Sequence, residues 1–338
     1  MQLREQRLQG VLDSLVDAGA AGVLMQYCDA DGLWSDASGV AELGTRDPVD
    51  PAGSFRIGSV TKTFTATVVL QLIGEGVLSL NDKVDRWLPG LVPAGDGITL
   101  RQLLNHTSGL YNYTDDLPEA AGIVRDRFLH WEPLRAVNMA TGHEPLFEPG
   151  AKRSYSNTNY ILLALVIEAA TSKSYATELQ DRILDPLDLR QTLIPGDAPK
   201  LPEPHAHGYM SADGELVDMA ELNASQAWSA GGIVSTATDL NHFYAALLNG
   251  ELLRPAELEA MQTTVPTDAA FHTGGLGISR LSLPGLVLWG HSGGIFGYRT
   301  WSYHSADATR QVTLSINTTD AAPPQTYDLL VSLFGCQN

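Results

Sequence analysis

The sequence predicts an α/β fold whose sheet is built from both ends of the chain, with a mostly helical insertion between them. Three observations lead there. Strand-like runs stand near the start, at 22–27 and 33–41, and alternating segments return only after residue 275. Between about 80 and 225 strand patterns fade, and helical runs are broken by loops containing Pro and Gly. Finally, S-V-T-K-T-F-T-A-T-V-V-L-Q-L-I-G-E (59–75) is apolar nearly all round, as befits a helix buried inside a protein. The expected division is an α/β unit of residues 1–78 and 230–338 and a helical unit of 79–229, with a cleft where they meet.

Taken in order, Leu8, Val11, Leu12, Leu15 and Val16 recur at helical spacing and predict an amphipathic first helix. The two strand-like runs that follow flank D-A-D-G, where Asp31-Gly32 suits a tight hairpin. Helical runs are expected at 98–104, 160–170 and 175–183. A helix capped by Thr236, with Asp239 in its first turn, is expected to reach Leu248. Alternation at 277–283, 287–291, 298–304 and 311–317 predicts strands, and a last helix over 324–334 closes the chain.

Composition narrows the function. Of 338 residues 44% are hydrophobic, ample for a large core. Acids outnumber bases 39 to 21, and the resulting net charge of −18 repels phosphate backbones, so no nucleic-acid partner is expected. No apolar run approaches the roughly 20 residues needed to span a bilayer. The N-terminal stretch shows no apolar segment of a signal peptide, which fits a cytosolic protein or the mature form of an exported one. Cys28 and Cys336 are expected to be buried thiols rather than a disulfide.

Two serines compete for the role of nucleophile. Gly290-His-Ser-Gly-Gly294 has the G-x-S-x-G pattern of a nucleophile elbow, which needs a strand before the serine and a helix directly after it. After Ser292 come two glycines and an alternating segment, and the only later histidine is His304, with no carboxylate between. The elbow fails on both counts. The second candidate is Ser59-Val-Thr-Lys62. One S-x-x-K arises by chance in roughly every chain of this length, but here Ser59 opens the most apolar helix and Lys62 lies one turn later on the same face. A lysine there is costly to bury unless it is paired or used, and burial disfavours its ammonium, leaving an amine that can act as a base beside a hydroxyl. The helix N-terminus adds partial positive charge where an oxyanion would form.

Further along, Tyr155-Ser156-Asn157 supplies a phenol able to carry a proton and an amide able to hold a carbonyl, and His291-Ser292-Gly293 ends a strand. In this order and at these intervals, S-V-T-K, Y-S-N and H-S-G resemble the three motifs of penicillin-recognising serine enzymes, in the branch of the class C β-lactamases. F-R-I-G-S-V-T-K, L-L-N-H-T-S-G-L (103–110), P-G-A-K-R-S-Y-S-N-T-N-Y and S-A-G-G-I-V-S-T (229–236) agree, and the likeness runs from about residue 8 to 336.

The resemblance implies a β-lactamase/transpeptidase-like fold, an antiparallel sheet flanked by helices plus a mostly helical domain. It also implies acyl transfer through Ser59, with Lys62, Tyr155 and His291 as its proton-handling partners and the backbone N–H groups of Ser59 and Gly294 as the oxyanion hole. Asn157, Ser292, Gly293, Gly294, Arg280, Trp228 and Tyr111 are the expected substrate contacts, with Ser279 nearest the place of a carboxylate-binding arginine and Arg280 in the next position. Pro118 and Gln226 stand where aromatic side chains are expected. The pattern of Y-S-N joined to H-x-G is that of soluble D-alanyl-D-alanine carboxypeptidases. It implies a D-configured peptide or acyl substrate, β-lactams as covalent ligands, and no cofactor. An esterase, amidase, amide-forming acyltransferase or class C-like β-lactamase uses the same machinery, and a non-catalytic receptor would have no use for the buried lysine. His205-Ala-His207 lacks a third ligand and reads as loop histidines rather than a metal pair.

Overall fold

The computed structural model describes residues 2–269, 271–318 and 326–335. Strands β1 (Gly22–Asp29), β2 (Gly32–Gly39), β3 (Val265–Pro266), β4 (His272–Gly274), β5 (Ser279–Leu283), β6 (Leu286–Ile295), β7 (Tyr298–Ser305) and β8 (Gln311–Ile316) form one sheet. Its eight strands run in the order β2-β1-β8-β7-β6-β5-β4-β3, each pair antiparallel. The first and last strands are thus neighbours, Val23 facing Ile316 and Tyr27 facing Val312. The hairpin at Asp31-Gly32 forms as expected, with Gly32 at φ 103° and the Asp31 N–H bonded to Asp29 Oδ1 at 3.0 Å.

Side chains alternate across the sheet and meet two different surroundings. Val23, Met25, Tyr27, Val312, Leu314 and Ile316 face helices α1 (Gln2–Asp17) and the C-terminal helix Thr326–Phe334, whose Leu8, Leu12, Leu330 and Leu333 are buried against them. The opposite face carries a buried polar layer. Gln26 and Thr313 bond Asn241 of the helix Ala237–Leu248 at 2.9 and 2.7 Å, and Ser302 joins Thr313 to His304 at 2.7 and 3.0 Å. Each polar side chain has a partner there, which offsets the cost of removing it from water.

Helix α2 (Thr61–Gly74) is buried along its first ten residues. It has no polar face because it has no solvent face. Phe64 stacks on Phe243 at 3.7 Å between ring centroids, and the threonines find internal acceptors: Thr63 donates to Gly277 O at 2.7 Å and Thr65 to Ser229 O at 2.8 Å. The stretch between the two sheet-forming ends supplies a short helix α3 (Leu100–Leu104), opened by a Thr99–Gln102 capping box, and α4 (Thr158–Thr171), buried along its first seven residues. It also holds a two-stranded hairpin, Tyr209–Ala212 with Glu215–Asp218, where no strand was expected. Helix 175–183 is split: an α-turn at Tyr175–Leu179 passes into a π-type turn at Gln180–Leu184. Cys28 is half-buried and free rather than a buried thiol, while Cys336 lies outside the described residues. Among the described residues no helix is long and apolar enough to cross a membrane.

Candidate active site

The pairing of β6 with β5 stops at Gly290 opposite Ser279, although β6 continues to Ile295. Residues 291–294 therefore border a cleft of about 450 Å³, lined by Ser59, Arg153, Tyr155, His272, Ser279, His291 to Gly294, Arg299, Trp301 and Thr326. A larger cavity of about 660 Å³ near Arg4, Arg7 and Arg310 contains none of the motif residues.

Ser59 sits in a 3-10 turn, Gly58–Val60, that runs straight into α2. The turn and β6 touch backbone to backbone. A Cβ on Gly293 would lie 2.0 Å from Ile57 O and 3.0 Å from Ser59 N. One on Gly58, whose φ is +52°, would lie 2.6 Å from Gly294 N. Only glycine allows this approach, which brings the N–H-bearing backbone of Gly294 beside that of Ser59.

Lys62 is fully buried, and its Nζ has three oxygen partners: Ser59 Oγ at 3.1 Å, Asn157 Oδ1 at 2.7 Å and Ala230 O at 2.6 Å. Burial holds its pKa well below the ordinary lysine value. The three partners are not equivalent, because a carbonyl oxygen only accepts whereas a hydroxyl also donates. As an ammonium, Lys62 donates to all three. As an amine, it still donates to Asn157 and Ala230 and accepts from Ser59. Both protonation states are fully bonded, and the proton they exchange belongs to the serine. The Asn157 amide is fixed in this sense by its Nδ2, which donates to Asn112 Oδ1 and Thr114 Oγ1, both at 3.2 Å.

Tyr155 lies across the cleft, with Lys62 Nζ 4.9 Å from its ring centre. Burial raises its phenol above the usual range, while a hydrogen bond with the Ser59 hydroxyl and the charge of Arg153 pull it back. The His291 ring stands 6.5 Å from that of Tyr155 and bonds through Nδ1 to Ser292 O. Burial first, then the charge of Lys62, push its pKa down to about 3, so it is a neutral imidazole at physiological pH.

Ser59, Lys62, Tyr155, Asn157, His291, Ser292, Gly293 and Gly294 are therefore brought together. Arg280 is not: it lies outside the cleft lining, and its Nη1 donates to Ser282 Oγ at 2.6 Å. Trp228, edge-on to Tyr175, and Tyr111, stacked on His143 at 3.8 Å, also lie outside the lining. In place of Arg280 stand Arg153 and Arg299, each with a buried Nε that has no hydrogen-bond partner. Arg299 faces Gly294 across the strand pair. No carboxylate lines the cleft among the described residues, so in a chain of net charge −18 this cleft is locally cationic. Sequence reasoning missed both arginines, although Arg153 lies inside the quoted second-motif stretch. The His205 and His207 rings stack at 5.4 Å, and His207 pairs with Asp218 at 2.6 Å. Among the described residues no group of three His, Cys, Asp or Glu is placed to hold a metal.

The G-x-S-x-G alternative can now be judged by its surroundings. Ser292 lies within β6, and β7 follows after a turn at Phe296-Gly297, so no helix begins behind it.

The sequence model of the family described as Beta-lactamase matches residues 8–332. A penicillin-binding protein of Bacillus subtilis is 34% identical over 56% of this chain and 42% of its own length. A D-aminopeptidase of Cereibacter sphaeroides is 26% identical over 99% of this chain and 64% of its own. The chain thus spans less than two thirds of the length of these curated relatives. A solved D-stereospecific amidohydrolase from a Streptomyces species superposes with a TM-score of 0.91 at 36% identity, covering 99% of both chains. A D-amino acid amidase from Ochrobactrum anthropi gives 0.85 at 27%, covering 98% of this chain and 97% of that one.

Proposed function

We propose, from the premise that this chain belongs to the beta-lactamase family of serine hydrolases, that it cleaves the amide bond after a D-configured residue through a Ser59 acyl-enzyme. The observation that carries this reading is the Lys62 amine, 3.1 Å from Ser59 Oγ, whose other partners are two pure acceptors. The D-configuration is supported by the relatives, which include a D-aminopeptidase and D-specific amidohydrolases.

The chemistry follows the geometry. Ser59 Oγ attacks the carbonyl carbon and its proton passes to the Lys62–Tyr155 pair. The Ser59 and Gly294 N–H groups receive the oxyanion. As the C–N bond breaks, Tyr155 returns the proton to the departing nitrogen, leaving an ester on Ser59 and a free amine. Water, or a second amine, then enters by the same route in reverse and gives up its proton as the ester C–O bond breaks. Asn157, whose two Nδ2 protons are taken by Asn112 and Thr114, keeps one Oδ1 lone pair beside that used by Lys62 to accept an N–H of the acyl chain, and neutral His291 leaves the positive charge of the cleft to the arginines.

The cationic lining of Arg153 and Arg299 favours a leaving group that ends in a carboxylate, that is, the carboxypeptidase form of the activity. β-Lactams, which carry both a reactive amide and a carboxylate, are expected covalent ligands. The test compares kcat/KM for a peptide ending in D-Ala-D-Ala, for D-alaninamide and for a p-nitrophenyl ester. Preference for the peptide, lost in Arg299→Gln, is expected. A preference for D-alaninamide favours the amidase reading that the Streptomyces relative suggests. Turnover of the ester alone overturns both.

A further inference from the structure

We infer that His106 is the positioning residue that fixes the Tyr155 phenol for proton transfer. It contacts all three residues that carry the tyrosine. The His106 carbonyl accepts from Ser154 N at 2.9 Å, and its Nδ1 accepts from Ser156 N at 3.2 Å. Its ring lies on the Tyr155 ring, 4.3 Å between centroids and 29° from parallel. The ring also meets Tyr160 at 5.3 Å, and the Tyr160 hydroxyl is tied to Leu104 O at 2.8 Å. His106 is thus a plate packed on both a fixed tyrosine and the reacting one.

The state of the imidazole is also set. Asn159 Oδ1 accepts from Ser108 Oγ at 2.7 Å, so its Nδ2 faces His106 Nδ1 at 3.3 Å. With two N–H donors aimed at Nδ1, that atom holds a lone pair and the ring proton resides on Nε2. A second proton would have to displace one of these donors, and burial first, then the charge of Arg153, oppose it. The backbone agrees with a demanded geometry. His106 has φ +63° directly after α3, a left-handed conformation uncommon outside glycine and tolerated best by Asn, Asp and His. That turn lets one residue present both its carbonyl and its ring to the extended loop 154–156.

The inference rests on reading Tyr155 as the proton carrier, and the experiment separates the two. His106→Asn keeps the left-handed backbone and an acceptor for Ser156 N–H but removes the plate. With a substrate turned over by the wild type, kcat is expected to fall on the order of 10²-fold, the loss typical of small misplacements, with KM within about twofold. In a Tyr155→Phe background the same substitution is expected to change kcat no further, because His106 acts only through the phenol. Asn159→Ala, which leaves ring and backbone in place and withdraws one donor, is expected to give a severalfold loss, and it stands in if His106→Asn does not fold. An inactive Tyr155→Phe beside folded position-106 and position-159 variants of unchanged kcat overturns the inference. So do equal losses in both backgrounds. A fully active Tyr155→Phe overturns the reading of Tyr155 instead.

Discussion

Ser59 and Ser292 line the same cleft, yet their surroundings differ in kind. Ser59 opens a buried helix, has a lysine amine at 3.1 Å, and acts on the Tyr155 phenol, whose pKa its hydroxyl lowers. Ser292 lies in the middle of a strand, opposite Trp301, and its hydroxyl acts on the Tyr303 phenol, whose pKa it lowers. Burial raises Tyr303 as it raises Tyr155, but Tyr303 has no amine beside it. A hydroxyl becomes a nucleophile when something beside it can take its proton. A reactive serine is therefore recognised by its neighbours in space and not by the glycines that flank it in sequence.

The comparison breaks first at the lysine. Lys62→Met is expected to reduce acylation on the order of 10³-fold, the usual scale of a lost general base. The wild-type rate should rise with pH as Lys62 loses its proton, and should do so well below the ordinary range for lysine, because burial depresses that pKa. Stopped-flow acylation across pH checks both. A limb at the ordinary lysine range would mean that the amine is solvated and the burial argument fails.

A milder effect is expected at Ser292. Ser292→Ala removes a hydroxyl that lines the cleft and should cost about tenfold in kcat/KM, mostly through KM. A loss as large as that of Lys62→Met would erase the distinction drawn between the two serines.

The smallest effect on catalysis concerns His304, which lies away from the cleft, stacked on Tyr244 at 4.5 Å. Burial pushes its pKa from 6.5 down to about 3. The unfolded chain therefore binds a proton that the folded chain refuses between those values. Its share of stability is full above about pH 6.5 and is lost as pH falls toward 3, with about 2–3 kcal/mol gone by pH 4.5. Urea unfolding at pH 7 and 4.5 should show a smaller acid loss in His304→Gln than in wild type, with kcat little changed at pH 7. An equal acid loss in both would place the titrating groups elsewhere.

Much of this was legible in the sequence, and the exceptions have physical causes. The buried helix, the capped helix at Thr236 and the sheet strands after residue 275 follow from periodicity and capping chemistry. The meeting of Ser59, Lys62, Tyr155 and His291 was anticipated because three motifs recurred in a known order. The 209–218 hairpin was missed: its second strand is mostly exposed, so hydrophobic alternation is weak there. Arg280 was expected in the cleft and Arg299 was not. The choice depends on where β5 stops pairing with β6 and on which side of β7 faces the opening, and neither is written in local composition. His106 stood in view within H-T-S-G, but its role comes from a left-handed backbone angle that no spacing announces.

The most direct test of the central claim is intact-protein mass after incubation with benzylpenicillin, on wild type, Ser59→Ala and Ser292→Ala. An adduct of the drug's mass on wild type and Ser292→Ala, and none on Ser59→Ala, is the predicted result. An adduct that survives Ser59→Ala and disappears in Ser292→Ala would contradict it, and would mean that the G-x-S-x-G serine carries the reaction after all.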